Sequence, residues 1–416
     1  MADQFCPHCM NHLSEAQNFC PDCGMDINME APPHHLPIGT VLRNRGKHAF
    51  LFGVVKGEGG FGLTYIGREL SSDRLVAIKE YYPFRCQPQR LPDGSVQPQE
   101  RFQDIYAHGM QSFLSEASML QAVCDIPSIV HVLDYFEANG TAYMVMEYLN
   151  GSTLYHIMQT QERISPEILL PKFLPLMRDL SSLHTAGVLH RDIAPDNIMW
   201  MPDDTLKLLD FGCARSLEDG RSMTVVLKPG FAPIEQYQTR GQGPYTDIYA
   251  LCATIYYCLT GKVPPASPER LTATFDNQQD PLIPPSAMDI SILPEQEQCL
   301  MWGLSLQPST RPQKIADLAS RLEKASTPPR KQAVQLPENP AIQPDPAVVE
   351  NAAASPDPAA VGNMAANPVV SYNDYQTEAN NTPPEQLRSF LSEHKLVVGI
   401  IAAVLLFILL GLLTSI

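Results

Sequence analysis

Positive charge is scarce in this chain. Its 416 residues carry 29 Lys and Arg against 45 Asp and Glu, a formal net charge of −16. So acidic a surface repels polyanions, which argues against nonspecific nucleic-acid binding through the whole surface, and no nucleic-acid partner is expected. A secretory signal is also missing, because Met1-Ala2-Asp3-Gln4 runs straight into a cysteine pair. No internal repeat is found, so a repeat array is excluded. Residues 326–388 have few large apolar side chains. They are rich in Pro, Ala, Asn and Gln, as in Pro337-Glu338-Asn339-Pro340, and cannot bury enough surface to fold. They are expected to form a disordered tether with an end-to-end distance of roughly 40–50 Å.

What is present is concentrated in a few short strings. His190-Arg191-Asp192-Ile193-Ala194-Pro195-Asp196-Asn197 is followed by Asp210-Phe211-Gly212, with Asp210 eighteen positions after Asp192. Phosphoryl transfer from ATP needs a carboxylate to orient the attacking hydroxyl and take its proton, and oxygen ligands to hold Mg²⁺ against the triphosphate. Asp192 suits the first role, Asn197 and Asp210 the second. Either string alone occurs by chance, but their joint order and spacing do not. Gly57-Glu58-Gly59-Gly60-Phe61-Gly62 is weak by itself, since dinucleotide folds use the same glycine pattern. Such a loop runs into a helix, whereas Leu63-Thr64-Tyr65-Ile66 is β-prone, so the segment reads as a hairpin lid over phosphates with Thr64 among the candidate contacts. Val76-Ala77-Ile78-Lys79 matches a strand that brings a lysine to ATP. That lysine needs an anionic partner, and Glu116, on the amphipathic helical pattern of residues 113–120, is the candidate. The alternative for Glu116 is a solvated helix face.

Over residues 36–325 the chain resembles the Hanks-type (eukaryotic-like) Ser/Thr protein kinases, and more closely their bacterial members. The resemblance implies an α+β, two-lobed fold with a β-rich N-lobe and a helical C-lobe. It implies that Ala142-Tyr143-Met144-Val145-Met146-Glu147-Tyr148-Leu149 forms the strand and hinge that hold adenine. Met146 then falls at the gatekeeper, the carbonyl of Glu147 and N–H of Leu149 meet the adenine edge, and Ala77 packs on the ring. Ala232-Pro233-Ile234-Glu235 resembles the A-P-E segment with altered spacing, and Glu235 should pair with Arg311. Asp247 looks like the buried aspartate that holds the catalytic loop by its backbone. The implied activity is ATP- and Mg²⁺-dependent phosphorylation of Ser/Thr hydroxyls on proteins, autophosphorylation included, with a homodimer as its vehicle. A nucleotide-binding pseudokinase scaffold is the competing reading, and Lys79, Asp192, Asn197 and Asp210 together argue against it. A small-molecule kinase is a third, and the A-P-I-E segment and later helical regions favour a peptide substrate instead.

The chain departs from the family pattern in two places. Ser/Thr kinases usually carry Lys two residues after the catalytic Asp, where this chain has Ala194. The usual Thr a few residues before A-P-E is also missing, and Leu227 or Lys228 occupies that zone. Lys228, in Val226-Leu227-Lys228-Pro229-Gly230, is the candidate to supply the lost charge; the alternative is a solvent-exposed lysine. Arg191 can pair with a phosphate on the activation loop, where Ser216, Ser222 and Thr224 are candidate acceptors and Thr224 lies nearest the substrate segment. Otherwise Arg191 bonds backbone carbonyls.

The chain ends carry two further signals. Cys6-Pro7-His8-Cys9 and Cys20-Pro21-Asp22-Cys23-Gly24 are C-x2-C knuckles suited to one tetrahedral Zn²⁺. Disulfides are the alternative, and His8 and His12 could compete as ligands, though four cysteines already close a site. Residues 1–30 are too few for a large core, so a structural metal should supply most of their folding energy. This ribbon is expected to be independent of phosphoryl transfer and to recruit a protein partner. The other six of the ten cysteines (Cys86, Cys124, Cys213, Cys252, Cys258 and Cys299) look buried or partly buried in a reducing compartment. Residues 396–414 are uncharged and apolar, and nineteen residues suffice to span a ~30 Å hydrocarbon core as a helix. Arg388 and Lys395 precede that run, so the positive-inside rule keeps the kinase region cytoplasmic, behind a single-pass C-terminal membrane anchor. With only Ser415 and Ile416 beyond it, input is expected from the cytoplasm, the bilayer or oligomerisation.

Overall fold

The first residues of the chain fold around sulfur. In the computed structural model, which describes residues 4–13, 18–44, 48–211, 227–238 and 241–326, β1 (Gln4–Phe5) and β2 (His12–Leu13) pair antiparallel. Cys6, Cys9, Cys20 and Cys23 converge beside them. The two knuckles repeat one geometry: Met10 N–H donates to Cys6 O at 2.9 Å, and Gly24 N–H to Cys20 O at 2.8 Å. Both turns close in left-handed backbone, with φ +59° at Met10 and +71° at Gly24. Glycine takes that conformation freely, while methionine there costs about 1–2 kcal/mol.

The strained Met10 is offset by where its side chain goes. It is fully buried, and a Cβ on Gly53 would collide with both Met10 Cε and Pro7 O. Val54 N–H donates to Pro7 O at 2.9 Å, and Arg68 Nε to Met10 O at 3.0 Å, with the guanidinium 5.1 Å from the Phe5 ring centre. The N-terminal knuckles are therefore docked on the N-lobe.

The N-lobe is a six-stranded sheet in the order β3-β4-β5-β6-β10-β9. In chain order β3 (Val41–Asn44), β4 (His48–Gly59), β5 (Gly62–Glu69) and β6 (Arg74–Tyr81) come first. A small hairpin of β7 (Gln89–Arg90) and β8 (Val96–Gln97) and the helix α1 (Gln103–Ala122) follow, then β9 (Val132–Ala138) and β10 (Thr141–Glu147). The hairpin is anchored by a buried charge pair. Arg90 donates to Glu80 Oε2 at 2.6 Å, and the same carboxylate accepts from Tyr65 (2.9 Å) and Tyr143 (2.7 Å). Strand alternation puts Glu80 on the face opposite Lys79, so this network fixes the strand that carries the lysine.

The C-lobe opens with β11 (Ser152–Thr153), α2 (Leu154–Thr160) and α3 (Pro166–Thr185), and β12 (Ile198–Trp200) and β13 (Leu206–Leu208) follow. Then come α4 (Ile234–Tyr237), α5 (Pro244–Thr260), α6 (Ser267–Phe275), α7 (Pro294–Gly303) and α8 (Ile315–Ser326). Every residue of α5 from Thr246 to Thr260 is buried, so this helix is the core of the lobe. Cys86, Cys252, Cys258 and Cys299 are buried as expected, but Cys124 is exposed, because it follows the last turn of α1. No described helix is long and apolar enough to cross a membrane, and residues 396–414 lie outside the described set, as do Cys213, Ser216, Ser222 and Thr224. Apart from Gly57–Gly59, the described residues belong to one unit.

Candidate active site

The glycine string and lysine strand lie on consecutive strands. Gly57 and Gly59 are at the end of β4, Gly60 and Phe61 form the turn, and Gly62 and Thr64 begin β5. Thr64 is paired with Lys79, and Ala77 lies opposite Met146 on β10, so strand register alone brings the lysine, the alanine and the buried Met146 together. Glu147 closes β10, and Leu149 packs against the core just beyond it. The Glu147 side chain accepts from Lys207 Nζ at 2.6 Å and from His131 N–H at 3.0 Å, which ties the end of β10 to both lobes.

Lys79 Nζ meets Asp210 Oδ1 at 2.8 Å. Burial alone would lower the lysine pKa, but the carboxylates of Asp210, Glu116 and Asp192 outweigh it and hold the ammonium above its ordinary value. Glu116 is buried on α1, so the solvated-face alternative is excluded. Asn197 donates from Nδ2 to both the carbonyl and Oδ2 of Asp192, at 2.8 and 2.9 Å. Asn197 thus contacts the candidate base directly while Asp210 pairs with Lys79, and both offer oxygens that fit a cation bound to a triphosphate.

A buried scaffold holds the catalytic loop. Asp247 Oδ1 and Oδ2 accept the backbone N–H groups of Arg191 (2.7 Å) and His190 (2.8 Å), and Oδ2 also meets His184 Nε2 at 2.8 Å. Burial would raise the Asp247 carboxyl, but His184, His190 and the Arg191 amide hold it below its usual value. His190 packs on Phe211 with ring centres 4.3 Å apart. Burial lowers its pKa to about 4, against the pull of Asp247 and Asp192. Glu235 and Arg311 form the expected buried pair at 2.7 Å. Arg191 is held with φ +65°, its carbonyl accepts from Gln236 Nε2 at 2.7 Å, and its Nε is buried with no hydrogen-bond partner among the described residues.

Sequence reasoning missed Glu80, Lys207, His184 and Gln236, which position the site without touching it. It also missed Asp196, which binds Lys228. Only Asp196 carried a signal, as a second carboxylate inside the catalytic string.

At the other end of the chain the four cysteine sulfurs lie within 4.8 Å of one another, with Cys6–Cys23 and Cys9–Cys20 at 3.7 Å. Four Zn–S bonds of about 2.3 Å at tetrahedral angles place sulfurs about 3.8 Å apart, so the donor set fits that ion. His8 Nε2 instead meets Asp26 O at 3.1 Å, and His12 packs on Phe5, so neither competes for the site.

The chain is similar to known proteins. The family model described as the protein kinase domain matches residues 53–336. Serine/threonine-protein kinase PknB of Mycolicibacterium smegmatis is 29% identical over 279 residues, covering 65% of this chain and 42% of the relative. PknB of Mycobacterium leprae is 27% identical over 325 residues, covering 76% of this chain and 46% of the relative. The chain thus spans less than half the length of these curated relatives. The solved structure of PpkA-294 in its apo form is 36% identical with a TM-score of 0.61, covering 70% of this chain and 99% of that one.

Proposed function

We propose, from the premise that the chain belongs to the protein kinase domain family, that it transfers the γ-phosphoryl group of ATP to Ser/Thr hydroxyls of proteins, itself included. The observation that carries this reading is a pair of direct contacts, Lys79 with Asp210 and Asn197 with Asp192, with the Asp192 carboxylate near enough to favour the charged form of Lys79. Asp192 orients the acceptor hydroxyl and takes its proton. The hydroxyl oxygen forms a bond to the γ-phosphorus as the bond from phosphorus to the β–γ bridging oxygen breaks, and ADP leaves with that electron pair. Lys79 holds the nucleotide phosphates, and the hinge from Met146 to Leu149 receives the adenine. Asn197 and Asp210 would hold Mg²⁺, which supplies charge neutralisation at the triphosphate. Purified protein should incorporate labelled phosphate from ATP, and Asp192→Asn should lower that rate by about 10²–10⁴-fold. ATP binding without turnover would favour the pseudokinase scaffold instead.

Three finer assignments belong to this reading. Cys6, Cys9, Cys20 and Cys23 hold one structural Zn²⁺; elemental analysis should give one zinc per chain, lost in Cys20→Ser/Cys23→Ser. Residues 396–414 anchor the chain in a bacterial cell membrane with the kinase on the cytoplasmic side, tethered by residues 326–388. Fractionation should place the full chain with membranes and a chain ending at Ser389 in the soluble fraction; cleavage of the kinase by protease outside intact cells would reverse the topology. Phosphate on Ser216, Ser222 or Thr224 orders the activation loop through Arg191, whose buried Nε supports the idea. Full activity in the triple alanine variant would remove that mechanism. Protein substrates, a ribbon partner and a second copy for autophosphorylation are the partners this reading entails.

A further inference from the structure

Ala194 leaves the catalytic loop without its usual cation, and another part of the chain brings one there. Lys228 Nζ lies 2.8 and 2.7 Å from the two carboxylate oxygens of Asp196 and 3.5 Å from Asp192 Oδ2. Its side chain is 17% exposed, which excludes the solvent-exposed lysine that the sequence left open. We propose that Lys228 is the catalytic cation of this kinase, delivered to the transferring phosphoryl group from the segment after the activation loop, and that Asp196 is the positioning residue that holds it. The inference deepens the phosphoryl-transfer reading and rests on it.

The backbone that carries Lys228 is built to hold it in place. The Lys228 carbonyl accepts from the N–H groups of Phe231 (3.1 Å) and Ala232 (3.0 Å), closing a tight turn. Gly230 in that turn has φ +84°, and a Cβ there would come within 2.5 Å of Val263 Cγ1 and 2.6 Å of Pro264 O. Only glycine lets the turn lie so close to that segment. Beyond it, Ala232 O accepts from Ser267 Oγ at 2.8 Å. Fixing a lysine side chain costs rotamer freedom, and the grip of both Asp196 oxygens offsets that cost. The longer separation from Asp192 leaves the base able to turn to a hydroxyl and the ammonium able to turn to a phosphoryl oxygen. A small cavity lined by Asp192, Lys228, Leu227, Phe231 and Ala232 lies at this point.

The location of the cation has a regulatory consequence. A lysine in the catalytic loop is fixed together with the catalytic Asp. Lys228 instead belongs to residues 227–233, which continue directly from the activation loop, so any rearrangement of that segment withdraws the cation from Asp192. Nucleotide binding, which uses Lys79 and the hinge, does not depend on it.

The test compares turnover and ATP affinity in the full chain and its variants. Lys228→Met should lower kcat on the order of 10²-fold, the scale of losing a positioned charge, while the ATP dissociation constant changes by less than about threefold. Lys228→Arg should retain more turnover than Lys228→Met. Asp196→Asn should lower kcat, and Lys228→Met/Asp196→Asn should be no worse than Lys228→Met alone, because Asp196 then has nothing left to position. Near-normal kcat in Lys228→Met overturns the assignment of the lysine, and additive loss in the double variant overturns that of Asp196. If Lys228→Met does not fold, Lys228→Gln carries the same outcomes. Wild-type turnover no greater than that of Asp192→Asn would remove the kinase reading itself, and this assignment with it.

Discussion

His190 shows how one buried side chain sets a pH dependence. Its folded pKa of about 4 lies below the ordinary 6.5, chiefly because burial penalises the charged ring. Between those values the unfolded chain binds the extra proton, so stability falls as pH drops from about 6.5 toward about 4. The loss over the whole window is roughly 3 kcal/mol. His190→Phe keeps a ring against Phe211 and removes the titration. In urea unfolding at pH 7 and pH 5, the variant should lose about 2 kcal/mol less than wild type; equal losses would assign the acid sensitivity to other groups. The Glu235–Arg311 pair makes a different point. Both side chains are buried, and Glu235 also accepts from Thr246 Oγ1 at 3.0 Å. Arg311→Met strands the carboxylate and should cost about 3–5 kcal/mol in the same assay, far beyond the value of a surface ion pair.

Among elements, the ribbon and β4 are coupled by shape. Met10→Gly relieves a left-handed strain of about 1–2 kcal/mol but removes a buried side chain worth about 2–5 kcal/mol. The second term is larger, so the substitution should destabilise the protein even though glycine suits the turn better; a raised melting temperature would show that Met10 is not seated on Gly53. Gly53→Val should release the ribbon without loss of zinc, seen as faster hydrogen exchange in residues 4–13. The helix α3 shows packing overriding local preference. It runs through Pro171 and Pro175, each worth about 3 kcal/mol against a helix. Leu169, Leu170, Phe173, Leu176, Met177, Leu180 and Leu183 are buried along it, and that apolar burial outweighs the breaks.

Across the whole molecule, removal of residues 1–30 should leave phosphoryl transfer detectable, since no described ribbon residue belongs to the site, but should lower the melting temperature by uncovering the surface around Gly53 and Ile66. An unchanged melting temperature would show that these residues do not stabilise the N-lobe. The catalytic strings, the lysine strand, the cysteine knuckles and the Glu235–Arg311 pairing were legible in the sequence, because each is a residue type that its chemistry demands at a fixed local spacing. Strand register then follows from alternation, which is how Thr64, Lys79, Ala77 and Met146 come together. The rest depended on contacts between distant segments. Nothing local in the sequence says that Met10 meets Gly53, that Glu80 grips Arg90, or that Lys207 holds Glu147. Lys228 spans both cases: its charge and the gap at Ala194 were visible in the chain, but its position at Asp192 was settled only when the turn at Gly230 packed against Val263 and Pro264, because a long, flexible side chain acquires one location only from the packing of the backbone that bears it.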